Sequence, residues 1–348
     1  MHKIGIIGYG GMAVWHHNNV AKTGCITAAA AYDIDPERVR VAEKNGLKGF
    51  YDLKEFLDSK LFDIVLVATP NNFHKDLSCA ALKAGYHVVC EKPVTLNVAE
   101  LEEILETARQ CSRLFTVHHN RRWDSDFLTV KKELENDAVG TPYTIESCVH
   151  GSGGVVHGWR AYKVAGGGML YDWGIHLIDQ IMLMIDQKVV DVHCQLVSVK
   201  TQEVDDYFKL ILRFESGLTA QLEVGTYCLK PKPRWYVNGT KGSLIINDWD
   251  CNGTVVHSSE IGMEWEPEVV QTKAGPTRTM APRPKETLSE YKIEKAEGDW
   301  VNFYRNVAAA IDNKEELFVK PGQLLRVMKV IEAAFKSAET GHSVAVDI

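Results

Sequence analysis

The sequence predicts an α/β protein in two parts: an N-terminal doubly wound parallel sheet, then a C-terminal α/β domain on a large open, mainly antiparallel sheet. Three observations predict it. Up to about residue 118, short wholly apolar runs alternate with amphipathic stretches. Beyond about residue 140 the apolar residues recur with a period of two. A glycine-rich turn stands directly after the first apolar run. The 348 residues suffice for two domains, expected at 1–120 and 121–348, with a last helix able to pack back on the first.

In the first part, strands are expected at 3–7, 26–32, 63–68, 87–90 and 114–118. Helices fill the intervals at about 11–22, 36–45, 52–58, 73–84 and 97–111. Asp35 followed by Pro36 reads as a cap with proline in the first turn, and Asn97 with Glu100 as a capping-box variant. In the second part a helix at about 124–136 leads to a strand at 143–150, a glycine-rich stretch and a helix at 169–185. Alternating segments follow at 189–200, 205–215, 218–227, 234–239, 243–248 and 253–257; Phe208, Leu210, Leu212 and Phe214 fall on one face. Residues 274–285, rich in proline and polar residues, read as a loop, and helices at about 296–312 and 321–339 close the chain.

Composition excludes several classes. Hydrophobic residues make up 45% and charged residues 24%, which is the globular range. A net charge of −7 argues against nucleic acid or an anionic membrane as partner. No apolar run reaches the length of a membrane span, and the start carries no leader pattern. The eight cysteines are scattered without a Cys-x-x-Cys pair, so free thiols in a cytoplasmic protein are expected rather than disulfides.

Gly8-Tyr9-Gly10-Gly11-Met12-Ala13 follows an apolar strand and opens a helix, the context in which a G-x-G-x-x-A pattern marks a Rossmann dinucleotide site. Gly8 permits the tight turn, Gly10 lets backbone approach a pyrophosphate, and the helix start favours the anion. Asp33, ending the second strand, is positioned to accept from ribose hydroxyls and to repel a 2′-phosphate, favouring NAD over NADP. Arg38 pulls the other way, since a guanidinium there can meet that phosphate or stack on adenine.

Lys92 follows the strand 87–90 at a carboxyl-end loop, facing the crevice, where it can stabilise alkoxide charge. In 166–185 nearly everything past the glycines is apolar except Asp172, His176, Asp179 and Gln180, at offsets of 0, 4, 7 and 8, one helical face. Asp172 and His176 are i, i+4 neighbours, so the carboxylate is expected to orient an imidazole suited to acid–base chemistry. A satisfied core histidine is the competing reading. A metal site is not expected, because one helix rarely supplies every ligand. His16, His17, His118 and His119 read as packing or solvated positions; His74, after the third expected strand, reads equally as cofactor contact or structural cap.

The segments GIIGYGGMA, ATPNNFH, CEKP, HNRRWD, GWR, GGGMLYDWGIHLIDQ and NGTKGSL resemble, in order, the glucose–fructose oxidoreductase/inositol dehydrogenase (Gfo/Idh/MocA) family. The resemblance implies Lys92, Asp172 and His176 as catalytic groups, with Arg122 joining them at the substrate. It implies cofactor contacts from Tyr9, Met12, Asp33, Thr69, Asn71, His74, Glu91, Lys92, Asn120, Trp159 and Arg160. HHNRRWDSDFLTVKK and LYDWGIHLIDQ are most similar to the scyllo-inositol dehydrogenase subgroup, some of whose members use NADP and lack the ribose-binding acid; Asp33 departs from that pattern.

The expected function is NAD-dependent oxidation of a secondary alcohol of a cyclitol or pyranose to a ketone. A glycosidase using NAD transiently, or a non-catalytic nicotinamide-binding regulator, remain alternatives. Substrate specificity is expected from loops at 151–165 and 228–236 and from the sheet face, and a homodimer or homotetramer from the open sheet.

Overall fold

Two sheets, each covered by helices, organise the chain; the computed structural model describes residues 1–154, 156–258, 268–278 and 284–348. The first runs β1 (His2–Ile7), α1 (Gly11–Val20), β2 (Ile26–Tyr32), α2 (Pro36–Lys44), β3 (Lys48–Phe50), α3 (Leu53–Asp58), β4 (Ile64–Val67), α4 (His74–Lys83), β5 (His87–Cys90), α5 (Val98–Gln110) and β6 (Phe115–Val117). Its six strands are parallel in the order β3-β2-β1-β4-β5-β6. β4 is the sequence IVLV, buried at every position, as a strand covered on both faces requires. The chain turns to opposite sides of β1, so the carboxyl ends of β1 and β4 flank the crevice where doubly wound sheets bind ligands.

Expected caps form. Asp35 accepts from Glu37 N at 3.0 Å, and Asn97 from Glu100 N at 2.9 Å. The edge strand β3 is an addition to the five strands expected. It is only Lys48-Gly49-Phe50, too short for an apolar period, and pairing with β2 makes it a strand.

The second part runs α6 (Ser125–Glu135), β7 (Pro142–His150), α7 (Ile175–Met184), β8 (Val189–Val197), β9 (Tyr207–Phe214), β10 (Thr219–Gly225), β11 (Trp235–Gly239), β12 (Gly242–Ile246), β13 (Gly253–Ser258), β14 (Val269–Thr272), β15 (Gly275–Arg278), β16 (Leu288–Lys292), α8 (Val301–Ile311), α9 (Pro321–Thr340) and β17 (Val344–Ala345). Nine of these strands form one sheet in the order β16-β13-β12-β11-β7-β10-β9-β8-β17. Neighbours are antiparallel except β7 and β10. Phe208, Leu210, Leu212 and Phe214 are buried on the face under α7 and α9, as their alternation requires.

The loop expected over 274–285 is corrected in part. Residues 275–278 form β15, paired with β14, because a turn at Lys273-Ala274 closes a hairpin; 279–283 lie outside the described residues. The last helix, α9, packs on α7 and β8 and also on α5 and β6 of the first sheet. There Thr116 Oγ1 donates to Val319 O at 3.2 Å, and Val98 N to Glu332 Oε1 at 2.6 Å. Among the described residues no helix is long and apolar enough to cross a membrane.

Candidate active site

Every strand of the first sheet that borders the crevice ends in a residue of the expected site. Gly8 follows β1 at φ +86°, and a Cβ there would lie 2.8 Å from the Thr69 side chain after β4, so only glycine fits. A Cβ at Gly10 would find only Arg38 Nη1, at 3.4 Å, and one at Gly11 nothing within 4 Å. The turn therefore opens outward. No side chain caps α1 and no acid stands in its first turn, which leaves its N–H groups for an anion. Met12 is exposed beside them.

Asp33, ending β2, is buried. Its Oδ2 accepts from Tyr9 N at 2.7 Å and its Oδ1 from Asp35 N at 2.9 Å, leaving lone pairs free on both oxygens. Arg38 Nη1 stands 3.9 Å away on a half-exposed side chain. Asn71, after β4, donates to Gly166 O at 2.8 Å while its buried Oδ1 has no partner. An outward-facing glycine turn, a free helix start, a buried acid and an orphaned buried amide oxygen fit a dinucleotide.

Three residues expected to touch it do not present free groups. The Tyr9 phenol is buried and bonds His17 Nδ1 at 2.7 Å, while Asn45 donates to it at 3.1 Å. His74 is fully buried, with Nδ1 2.8 Å from Pro93 O and Nε2 2.9 Å from Thr69 O; it ties the β4 and β5 loops together. Both of its ring nitrogens thus lie against loop carbonyls, and its side chain does not cap α4, whose first residue it is. Glu91 is buried in a node: His16 Nε2 and His118 Nδ1 donate to its Oε1 at 2.7 and 2.9 Å, and Lys92 N to its Oε2 at 3.0 Å. Tyr304 of α8 completes the node by donating to His16 Nδ1 at 2.5 Å. Burial alone would raise the Glu91 carboxyl; these donors hold it well below its usual range. Burial, then His118, push His16 down to about 4, so the His16 ring serves as a neutral donor.

That node fixes the base of Lys92. The Lys92 ammonium donates to Asp172 Oδ1 and to Asp172 O, each at 2.8 Å. Arg160 Nε reaches the same carboxylate at 3.3 Å, its guanidinium 4.5 Å over the half-buried Trp159 ring. Burial raises the Asp172 carboxyl, but the two cations outweigh it and hold it below its usual range. Asp172 thus holds Lys92, and the expectation that it orients His176 is corrected. Residues Leu170–Gly174 form a π-helical turn, whose wider winding breaks the i, i+4 phase assumed from sequence. The glycines before it admit protein groups: a Cβ at Gly167 would meet Arg160 O at 2.1 Å.

His176 is buried and its Nδ1 has no partner. Burial, then the Lys92, Arg121 and His119 charges, push its pKa well below the usual imidazole value. His119, its ring 6.5 Å away, is pushed down to about 4, first by burial. Asn120 opens the 3-10 turn Asn120–Trp123 beside them.

Arg122 is taken out of the substrate group. It is buried and grips Asp179 with Nε at 2.8 Å and Nη2 at 2.6 Å, and Nη1 bonds Phe318 O and Gln323. Gln180, last of the expected stripe, donates to Arg121 O at 2.7 Å. The stripe faces the 120–123 turn and Lys92, which spacing did not say. Sequence reasoning also missed His16, His118 and Tyr304; the only signal was their polarity in apolar surroundings. The residues expected to set specificity include Val155, which lies outside the described residues. Two groups of potential metal ligands lie among the described residues, His16–Glu91–His118 and Cys148–His150–Glu223. Each carboxylate is already hydrogen-bonded, Glu223 to His150 at 3.1 Å and to Lys232 at 2.5 Å, and we assign no metal to either.

A dinucleotide cradle beside a half-buried lysine–aspartate pair and a neutral histidine defines a nicotinamide-dependent type of oxidoreductase. The sequence matches the oxidoreductase family, NAD-binding Rossmann fold, over residues 2–119 and the GFO/IDH/MocA C-terminal domain over 127–245. The chain belongs to this Gfo/Idh/MocA oxidoreductase family. It is 31% identical to an uncharacterized oxidoreductase of Schizosaccharomyces pombe, covering 85% of this chain and 84% of that one. It is 28% identical to the scyllo-inositol 2-dehydrogenase (NADP(+)) of Bacillus subtilis, covering 85% and 82%. An NAD-binding protein from Listeria innocua has a similar solved structure, with TM-score 0.93, 39% identity and 99% of each chain covered.

Proposed function

We propose that the protein oxidises a secondary alcohol of a cyclitol or pyranose to a ketone, with NAD as acceptor. The observation that carries this reading is the buried, neutral His176 with an unpartnered Nδ1, close enough to Lys92 to feel its charge. A neutral imidazole can take the hydroxyl proton, and the Lys92 ammonium, held by Asp172, can stabilise the alkoxide. The dinucleotide, held by the glycine turn, α1 and Asp33, supplies the hydride acceptor. The inositol dehydrogenases among the relatives support the substrate class, Myo-inositol 2-dehydrogenase of Thermotoga maritima being 29% identical over 71% of this chain.

The test is NADH release over inositols, glucose and sugar acids. His176→Ala and Lys92→Met are each expected to lose about 10²–10³ in kcat with dinucleotide affinity kept; near-normal turnover would refute the roles. For the cofactor, the buried Asp33 carboxylate favours NAD, because a 2′-phosphate would meet its charge. Asp33→Ala is expected to weaken NAD at least tenfold more than NADP in a binding titration, and equal loss would overturn the preference.

A further inference from the structure

Beside the catalytic imidazole lies a cavity of about 790 Å³ that none of the roles above uses. Trp15, Trp123, Trp173, Trp249 and Trp300 line it, five of the chain's eight tryptophans. Trp173 connects it to the catalytic centre, its ring 6.0 Å from His176. The indoles form two tilted pairs, Trp15 with Trp300 and Trp173 with Trp249, each 5.9 Å between centroids.

The walls are braced. Asp124 accepts from Trp300 Nε1 at 2.7 Å and from Arg121 Nη1 at 2.8 Å. Arg121 sits 4.0 Å over Trp173, and Arg234 4.6 Å over Trp249. Even so, Trp249 and Trp300 stay 45% and 41% exposed. Two part-exposed indoles, one from each braced pair, mark a binding surface.

The lining chooses among ligands. Lys22, Arg121 and Lys295 balance Asp124, Asp126 and Asp299, so neither an anion nor a cation is favoured. The charged groups disfavour a wholly apolar guest. Flat aromatic faces with a polar rim suit a neutral polyhydroxylated ring, whose C–H faces stack and whose hydroxyls bond the rim. The volume exceeds what one six-membered polyol fills.

We propose that this cavity holds a second saccharide ring, joined to the ring that is oxidised, so that the substrate is a disaccharide or other glycoside. The inference rests on the alcohol-oxidising reading of the adjoining site.

Tryptophan fluorescence of the full-length His176→Ala protein tests it without turnover. The probes are maltose, cellobiose, sucrose, trehalose and lactose, against glucose and scyllo-inositol. At least one disaccharide is expected to perturb the emission saturably with a Kd tenfold or more below that of either free ring. Trp249→Ala should raise that Kd at least tenfold while NAD affinity changes less than twofold. Trp300→Ala, from the other indole pair, serves if the first variant does not fold. No disaccharide binding tighter than the free rings, or a Kd untouched by these variants, would overturn the proposal. NADH formed from free rings without disaccharide binding would refute the cavity assignment and leave the alcohol oxidation standing. Saturable disaccharide binding with no NADH from any probe in the unsubstituted enzyme would do the reverse.

Discussion

At His176, burial and the neighbouring charges of Lys92 and Arg121 set the expected pH behaviour. A general base works unprotonated, and these groups lower its pKa, so the active form persists below the ordinary imidazole range. The kcat/KM for alcohol oxidation is expected to stay flat as pH falls from 8 through 6.5, and to decline only at more acid pH. A limb with an apparent pKa at or above 6.5 would show that another group, or a solvated imidazole, takes the proton. The same depression explains why a lysine can stand so near: two cations side by side in a buried site would repel, while a neutral ring tolerates the ammonium.

Between elements, Arg122 ties the 120–123 turn to α7 through Asp179 and to the start of α9 through Phe318 O and Gln323. Removing one partner of a buried pair strands the other charge, at a cost of roughly 3–5 kcal/mol. Arg122→Met is therefore expected to lower stability by that order in denaturant unfolding, with substrate KM changed little in protein that remains folded. A large KM increase at unchanged stability would return Arg122 to the substrate. This residue also marks the limit of reading by sequence. Strands such as Ile64–Val67 and the glycine turn after β1 are written in local composition, and so were legible. The partners of Arg122, Glu91 and His16 lie far off along the chain, and no spacing rule names them. The π turn at Leu170–Gly174 was hidden for another reason: the stripe Asp172, His176, Asp179, Gln180 fits a regular helix equally well, so periodicity offered no hint of the extra winding. The residue types of the candidate site were legible; their pairing was not.

Over the whole molecule, the buried histidines govern acid stability. His16 and His119 have folded pKa values of about 4 against 6.5 when solvated, burial being the largest cause, and His176 is lowered too, by burial and its cationic neighbours. Between those values the unfolded chain binds more protons, so stability present above pH 6.5 is lost as pH falls towards 4. Each fully shifted histidine contributes up to about 1.4 kcal/mol per pH unit in that window. Asp205, pushed up to about 6 by burial, and Asp124, raised by burial as well, act in the opposite sense. The melting temperature is expected to drop between pH 7 and pH 5 in a calorimetric series. A flat or rising trend would mean that the rings are hydrated or already charged in the native state.

The node around Glu91 has a further bearing. Glu91, just after β5, rests on His16 and His118, and His16 in turn on Tyr304 of α8, while β6 is bonded to Val319 just ahead of α9. The nucleotide-binding half therefore borrows its underpinning from the far end of the chain. Recombining it with a relative's second half has to keep α8 with residues 1–120, while α9, packed on both parts, has to match both.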